Sequence, residues 1–157
     1  MALSEATLAS NILSVLQSQP SNFLIAGEML SSAYAQYAIA GTFGANVIPT
    51  LTPQSSSLGT TLASSFAAET SVAAATGWSS GLSIFWVGVP VLGLVQAGTT
   101  VACPGAASLI SSISTIFNSF PATQAIAASE LASVLHTATL TVTANVSPPA
   151  STILPIS

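Results

Sequence analysis

Charged side chains are almost absent from this sequence. Lysine, arginine and aspartate do not occur, and the 157 residues include only four glutamates and one histidine. A typical soluble domain contains about 25% charged residues, whereas this chain contains 3%. Nucleic acids and phosphorylated ligands are normally bound by Lys and Arg, so the composition excludes an electrostatic nucleic-acid site. The net charge of −4 is also too small to keep copies of the chain apart.

The rest of the composition is apolar and rich in small residues. Half of the residues are hydrophobic, and the chain contains 27 alanines, 26 serines and 17 threonines. This apolar content argues against intrinsic disorder, which accompanies low hydrophobicity and high charge. We predict one globular, mainly helical domain over residues 1–147, which is long enough to bury a core, followed by an extended docking tail over residues 148–157. No internal repeat of fixed period and no linker is evident.

Hydrophobic periodicity predicts about five helices and a few strands, which is a mainly α fold of the α+β class. Gly41 and Gly77 stand where the second and third helices are expected to end, and we predict that they act as C-terminal caps. The apolar residues of the fourth helix, including Phe120, recur at helical spacing and predict a core face. The five predicted helices cover residues 4–19, 21–40, 58–76, 104–120 and 122–136. We expect Ser4 to cap the first of them and either Ser21 or Asn22 to open the second.

Two C-terminal segments have the pattern of extended structure. Residues 137–146, TATLTVTANV, alternate threonine with apolar residues and predict a strand. The tail over residues 148–157 contains three prolines and cannot continue a helix, yet it is too apolar to be free. We expect the tail to dock on another surface, in this chain or in a neighbour, and both segments to contact other subunits. The candidate interface residues are Thr139, Thr141, Thr143, Ile153, Leu154 and Ile156.

One apolar window, GLSIFWVGVPVLGLVQA at residues 81–97, has two possible interpretations. It is slightly shorter than the ~20 residues that span a bilayer, and Gly88, Pro90 and Gly93 interrupt it. A buried pair of strands over residues 84–87 and 91–95 is the interpretation that we favour, because short apolar runs are typical of protein cores. The alternative is a small membrane-inserted protein, holin-like or pore-forming.

The sequence offers little for catalysis or metal binding. Cys103 and His136 are the only cysteine and the only histidine, and together they are too few for a zinc site. Without aspartate, neither a calcium loop nor a Ser-His-Asp triad can be built. A hydrolase would have to use His136 with Cys103 or with a serine. We therefore expect no enzymatic activity, no cofactor and no metal.

Two stretches near the C-terminus resemble a known group of proteins. QAGTTVACPGAASL at residues 96–109 and ELASVLHTATLTVTANVSPP at residues 130–149 resemble small virion structural proteins of tailed bacteriophages, especially of the myovirus and cyanophage type. The resemblance covers roughly the C-terminal third and includes no catalytic residue. It implies a non-enzymatic subunit of a neck, tail, baseplate or capsid surface. Its partners would be copies of itself and other virion proteins, with no nucleic-acid partner and no membrane partner.

Overall fold

Six α-helices and two small antiparallel sheets form the computed structural model, which describes residues 2–91, 100–146 and 152–157. The expected mainly α fold with a few strands is confirmed. The helices are α1 (Glu5–Ser18), α2 (Phe23–Ala38), α3 (Thr52–Phe66), α4 (Ser71–Val87), α5 (Leu109–Ser119) and α6 (Gln124–Thr139), and a short 3₁₀ helix (Pro104–Ser108) precedes α5. The strands are β1 (Thr42–Phe43), β2 (Asn46–Val47), β3 (Thr100–Ala102), β4 (Thr143–Val146) and β5 (Thr152–Pro155).

The helices begin at polar caps but do not end at the predicted glycines. Ser4 caps α1, as predicted, by accepting a hydrogen bond from the Thr7 amide. Gly41 lies beyond the end of α2, and Gly77 lies inside α4. A Cβ atom at Gly41 would collide with Ile156, and one at Gly77 would collide with Ser65 of α3. Both predicted caps were therefore wrong, because these glycines permit close packing instead.

The third predicted helix is in fact two helices, and the predicted strand at residues 84–87 was wrong. A turn over residues 67–70 separates α3 from α4, with Glu69 in the left-handed conformation at φ 54° and Thr70 capping α4. Residues 84–87 form the last turn of α4, in which Phe85 and Trp86 are buried. Most of the second predicted strand, residues 92–95, lies outside the described residues.

The threonine-rich segment is part helix and part strand. Helix α6 continues to Thr139, and only residues 143–146 form β4. Val142 and Ala144 are buried, as the alternation predicts, whereas Leu140 is half exposed because it caps the helix. The strand prediction was therefore wrong over residues 137–142. Packing of α6 overrides the threonine preference for strands up to Thr139, and residues 140–142 form the turn before β4.

The described part of the tail belongs to the fold. Strand β5 pairs antiparallel with β4, which also pairs with β3, so β4 is the central strand of a three-stranded sheet. Ile156 is buried and forms a β-bridge with Phe43 of β1. The chain end is also held by two backbone hydrogen bonds between Thr42 and Ser157, each 3.0 Å long. Residues 152–157 thus complete the domain.

The six helices form three antiparallel hairpins, α1–α2, α3–α4 and α5–α6, arranged in a closed ring. The first helix of each hairpin packs against the second helix of another: α3 against α2, α5 against α4, and α1 against α6. The three turns inside the hairpins, over residues 19–22, 67–70 and 120–123, are short and lie at one end of the bundle. We call this end the short-turn end. The strands lie at the opposite end, the strand end.

The first and third hairpins correspond in sequence as well as in structure, although no repeat of fixed period runs through the chain. Residues 8–38 align with residues 109–139 without a gap. Gln19 and Phe120, which correspond, share a left-handed backbone and precede proline. The identical positions are Leu8, Ser10, Ile12, Ser18, Pro20, Ile25, Ala26, Leu30 and Ser32 of the first hairpin, paired with Leu109, Ser111, Ile113, Ser119, Pro121, Ile126, Ala127, Leu131 and Ser133.

The middle hairpin has a turn of the same length and shares two of the buried positions. Leu58 and Leu62 of α3 correspond to Leu8 and Ile12 of α1, and all four side chains are buried. Each hairpin alone would leave one apolar side uncovered, so each depends on its neighbours for burial.

The second helix of each hairpin buries more apolar side chains than the first. A chain of hydrogen bonds joins all three of these second helices: the Trp86 indole N–H donates to the Tyr34 hydroxyl over 3.0 Å, and Tyr34 lies 2.6 Å from the Thr139 hydroxyl. Thr139 in turn donates to the Leu135 carbonyl over 2.7 Å. Because every member of this buried network has a partner, the network fixes the relative positions of α2, α4 and α6.

Candidate assembly surfaces

The structure divides the six predicted interface residues between core and surface. Thr139 and Ile156 are buried inside the chain, so for these two the predicted contact with another subunit was wrong. Each has an intramolecular partner, Tyr34 for the first and Phe43 for the second. The others remain at the surface of the strand end: Thr141 and Ile153 are exposed, and Thr143 and Leu154 are half-buried.

Cys103 and His136 have separate partners. The Cys103 thiol donates to the Ala138 carbonyl over 3.4 Å, and burial raises the pKa of this thiol. Nδ1 of His136 is 2.6 Å from the Tyr37 hydroxyl. A buried thiol with a raised pKa is a poor nucleophile, because the reactive form is the thiolate. The geometry gives both residues packing roles.

The outer faces of α3, α4 and α5 carry hydroxyl groups that are already hydrogen-bonded within their own helix. Thr60 donates to the Ser56 carbonyl and Ser64 to the Thr60 carbonyl, each within α3 and over about 3 Å. The same bond to the carbonyl four residues earlier recurs at Ser80 in α4 and at Thr115 in α5. Because each hydroxyl keeps this bond when water leaves, such a surface is less costly to desolvate than a charged one.

The large exposed apolar side chains are concentrated at the two ends of the bundle. Helices α1 and α3 expose none, and the other helices expose theirs only near their ends. The residues at the short-turn end are Phe23, Leu24, Ile25, Val72, Phe120 and Ile126, and those at the strand end are Ile39, Val47, Ile84, Val87, Ile110, Leu140 and Ile153. The bundle therefore has a hydroxyl-covered wall and two apolar ends.

The short-turn end combines a protruding side chain with a neighbouring cavity. Phe120, which the sequence placed on a core face, is 86% exposed and has a left-handed backbone at φ 48°. Beside it, the start of α4 and the end of α5 enclose an open cavity of about 330 Å³. Its apolar walls include Phe66, Ala74 and Phe117, Glu69 also lines it, and one side of the exposed Phe120 ring forms part of its rim.

A second open cavity, of about 490 Å³, lies between α2 and α3. Hydroxyl groups line most of it, and Glu28 is the one charged residue in its wall. Ser31 uses its hydroxyl within this wall, 3.0 Å from the Glu28 carbonyl and 3.4 Å from the Ser55 hydroxyl. This groove offers hydrogen bonds to a neutral polar group but has no cluster of catalytic side chains.

The described part of the apolar window, residues 81–91, belongs to α4 and the turn that follows it. Leu82, Phe85 and Trp86 are fully buried between the helices. Across the described ranges, no helix has both the length and the apolarity needed to cross a membrane. Residues 92–97 of the window lie outside those ranges.

Sequence reasoning missed the short-turn end because it assigned Phe120 to the core from helical spacing alone. The signal that could have identified it is the correspondence between the first and third hairpins, in which Gln19 occupies the position equivalent to Phe120. A polar residue at that place in the first hairpin indicates a surface position.

No family model matches the chain, and no curated protein or solved structure matches it.

Proposed function

We propose that this protein is a non-enzymatic structural subunit of a large assembly, and that the assembly is the virion of a tailed bacteriophage. The observation that carries the structural role is the distribution of the surface: two apolar ends and a hydroxyl-covered wall, with four glutamates and no cation. Protein interfaces are depleted of charge at their cores, whereas freely solvated surfaces are not. The assignment to a virion rests on the resemblance of residues 96–109 and 130–149.

Contacts made by such a surface should not depend on ion pairs. With neither Lys nor Arg in the chain, attraction to a partner comes from apolar burial and from hydrogen bonds. Salt screens attraction between exposed charges but not apolar contact, and sulfate strengthens burial. Resistance to salt is therefore the property that separates this mode of assembly from an electrostatic one.

The alternative of a membrane-inserted protein has less support. It would use residues 81–97, yet Leu82, Phe85 and Trp86 are packed within the bundle and cannot face lipid in this fold. These three side chains belong to the same core as the Tyr34 network. Membrane insertion would require that core to be taken apart.

The test is recovery of the chain in virus particles from its source. Particles are purified on a density gradient and washed with 1 M NaCl, and the chain is then quantified by mass spectrometry. Chymotryptic peptides are needed, because the sequence lacks the Lys and Arg sites that trypsin cuts. We expect a fixed, high copy number per particle that the salt wash leaves unchanged.

Two results would contradict the proposal. In the first, the chain is absent from particles although it is abundant in the unassembled fraction. In the second, the salt wash removes the chain from the particles. The matched control is a second virion protein of the same particles that carries Lys and Arg at its contacts, which the wash should release in part. Detergent-resistant recovery in particles would also exclude the membrane-inserted alternative.

A further inference from the structure

The three turns of the short-turn end occupy equivalent places in the fold, and one of them breaks the pattern. Gln19, Glu69 and Phe120 all adopt the left-handed backbone, at φ 49°, 54° and 48°. A polar side chain meets this requirement in two of the turns, so the fold does not need a phenyl ring in the third. A large, bulky residue in this conformation is uncommon. Phe120 is also 86% exposed, which calls for a reason outside the isolated chain.

The cavity beside Phe120 can receive a ring of the same kind. Its volume of about 330 Å³ exceeds the roughly 150 Å³ of an engineered cavity that binds benzene. Phe66 and Phe117 form part of its wall, and aromatic pairs gain from edge-to-face contact. The knob and the hole lie next to each other on the same end of one molecule. A two-fold interface requires this kind of self-complementarity, since each copy gives and receives the same contact.

We propose that two copies of this chain associate through their short-turn ends about a two-fold axis, with Phe120 of each copy seated in the cavity of the other. This pairing rests on the proposed function, because it names the first partner of the structural subunit. Each cavity is open at the surface, and in this pairing the second copy supplies the aromatic side chain that fills it.

The exposed apolar area supports a second copy as the partner. Phe23, Leu24, Ile25, Val72, Phe120 and Ile126 are between 37% and 86% exposed. At roughly 170 Å² for a fully exposed side chain of this size, they present on the order of 550 Å². The same turns add exposed surface from Ala67, Ala68, Ala122 and Ala125. A stable interface needs about 800 Å² from each partner, and this end approaches that value.

The charges at this end are compatible with pairing of identical copies. Glu69 is the one charged residue in the cavity wall, and it is exposed. At the rim its carboxylate stays hydrated, so the second copy does not have to supply a cation that it lacks. A different protein would have no such constraint and would be expected to place Lys or Arg against Glu69.

The test is sedimentation equilibrium of the purified full chain at several concentrations. We expect a reversible equilibrium between the 15.6 kDa chain and a species of twice that mass. Phe120→Gln copies the residue of the first hairpin and so keeps the turn, and it should raise the dimer dissociation constant at least about thirtyfold. Ser71→Glu places a carboxylate in the cavity wall and should do the same, while the added charge favours the start of α4.

The matched control is Val87→Gln, which removes a 69% exposed apolar side chain at the strand end and should leave the dissociation constant unchanged. Circular dichroism and the thermal midpoint, measured at a concentration low enough for every chain to be monomeric, should be the same for all three variants and the wild type. The proposal is overturned if the wild-type chain stays monomeric, which would assign this end to a different protein, or if Phe120→Gln pairs as tightly as the wild type. It is also overturned if Val87→Gln weakens pairing equally. A monomer that is nevertheless found in particles would reject the pairing and retain the proposed function.

Discussion

The two tyrosines are the residues at which pH acts most directly on this fold. Tyr34 and Tyr37 are buried, and burial raises the pKa of both phenols above the ordinary value of about 10. Hydrogen bonds to Thr139 and from Trp86 oppose this rise at Tyr34 without cancelling it. Both phenols are therefore held neutral in the folded chain under conditions where they would ionise in the unfolded chain.

This arrangement predicts unfolding at alkaline pH. The folded-state pKa values of both phenols are raised, so their contribution to stability is complete below about pH 10 and falls as the pH rises further, because the unfolded state releases more protons. The buried Cys103 thiol, whose pKa is also raised, adds a loss that begins at lower pH, because an ordinary thiol ionises before a phenol. Denaturant unfolding followed by fluorescence between pH 7 and 12 measures this. Tyr37→Phe, which keeps the ring, should reduce the loss above pH 10. Unchanged stability throughout this range would mean that the phenols ionise equally in both states.

At the scale of the element, the distance between two packed helices depends on glycines that lie directly against the backbone of the neighbouring helix. A Cβ atom at Gly27 of α2 would lie 2.5 Å from the Gly59 carbonyl oxygen and 2.8 Å from the Ala63 nitrogen, both backbone atoms of α3. A Cβ atom at Gly81 of α4 would instead meet the end of the Leu58 side chain at 2.6 Å. The Leu58 side chain can rotate away from a Cβ atom at Gly81, whereas a Cβ atom at Gly27 would force the backbones of α2 and α3 apart.

The two glycines therefore respond differently to the same substitution. Gly27→Ala should lower the free energy of unfolding by about 1–3 kcal/mol through overpacking. Gly81→Ala should cost less, because Leu58 can rotate and alanine gains about 1 kcal/mol of helix propensity over glycine. Urea unfolding of both variants measures the difference. Equal losses would show that α2 and α3 separate as easily as a leucine side chain rotates.

At the scale of the whole molecule, the C-terminal residues close the fold. Ile156, directly after β5, is 4% exposed and bridges to Phe43 of β1, whereas Ile153 within β5 is 65% exposed. Removal of the tail would therefore destabilise the domain, and loss of assembly after such a deletion would not identify the tail as an interface. Single substitutions separate the two roles.

Ile156→Ala should lower the free energy of unfolding by about 2–5 kcal/mol, the usual cost of truncating a buried isoleucine. Ile153→Ala is the matched control and should change stability by no more than about 0.5 kcal/mol. Thermal unfolding followed by circular dichroism measures both. If the two variants lose stability equally, then the described position of residues 152–157 against β1 and β4 is not the one that holds in solution.

The sequence by itself determined the helical class and several helix starts. Ser4 and Asn22 cap their helices where sequence reasoning placed them, because capping is a local hydrogen bond between a side chain and a nearby amide. The sequence also determined the charge-poor surface, since no fold can supply cations that the chain lacks. The burial of Val142 and Ala144 likewise followed from alternation along the strand.

Only the tertiary structure decided which apolar residues are buried. Phe120 and Ile156 are both large, apolar and next to proline, yet one is exposed at the short-turn end and the other closes the core. Ring closure between α1 and α6 and the bridge between Phe43 and Ile156 join residues more than 100 positions apart. Such contacts depend on the positions of all three hairpins, and the local periodicity of the sequence does not indicate them.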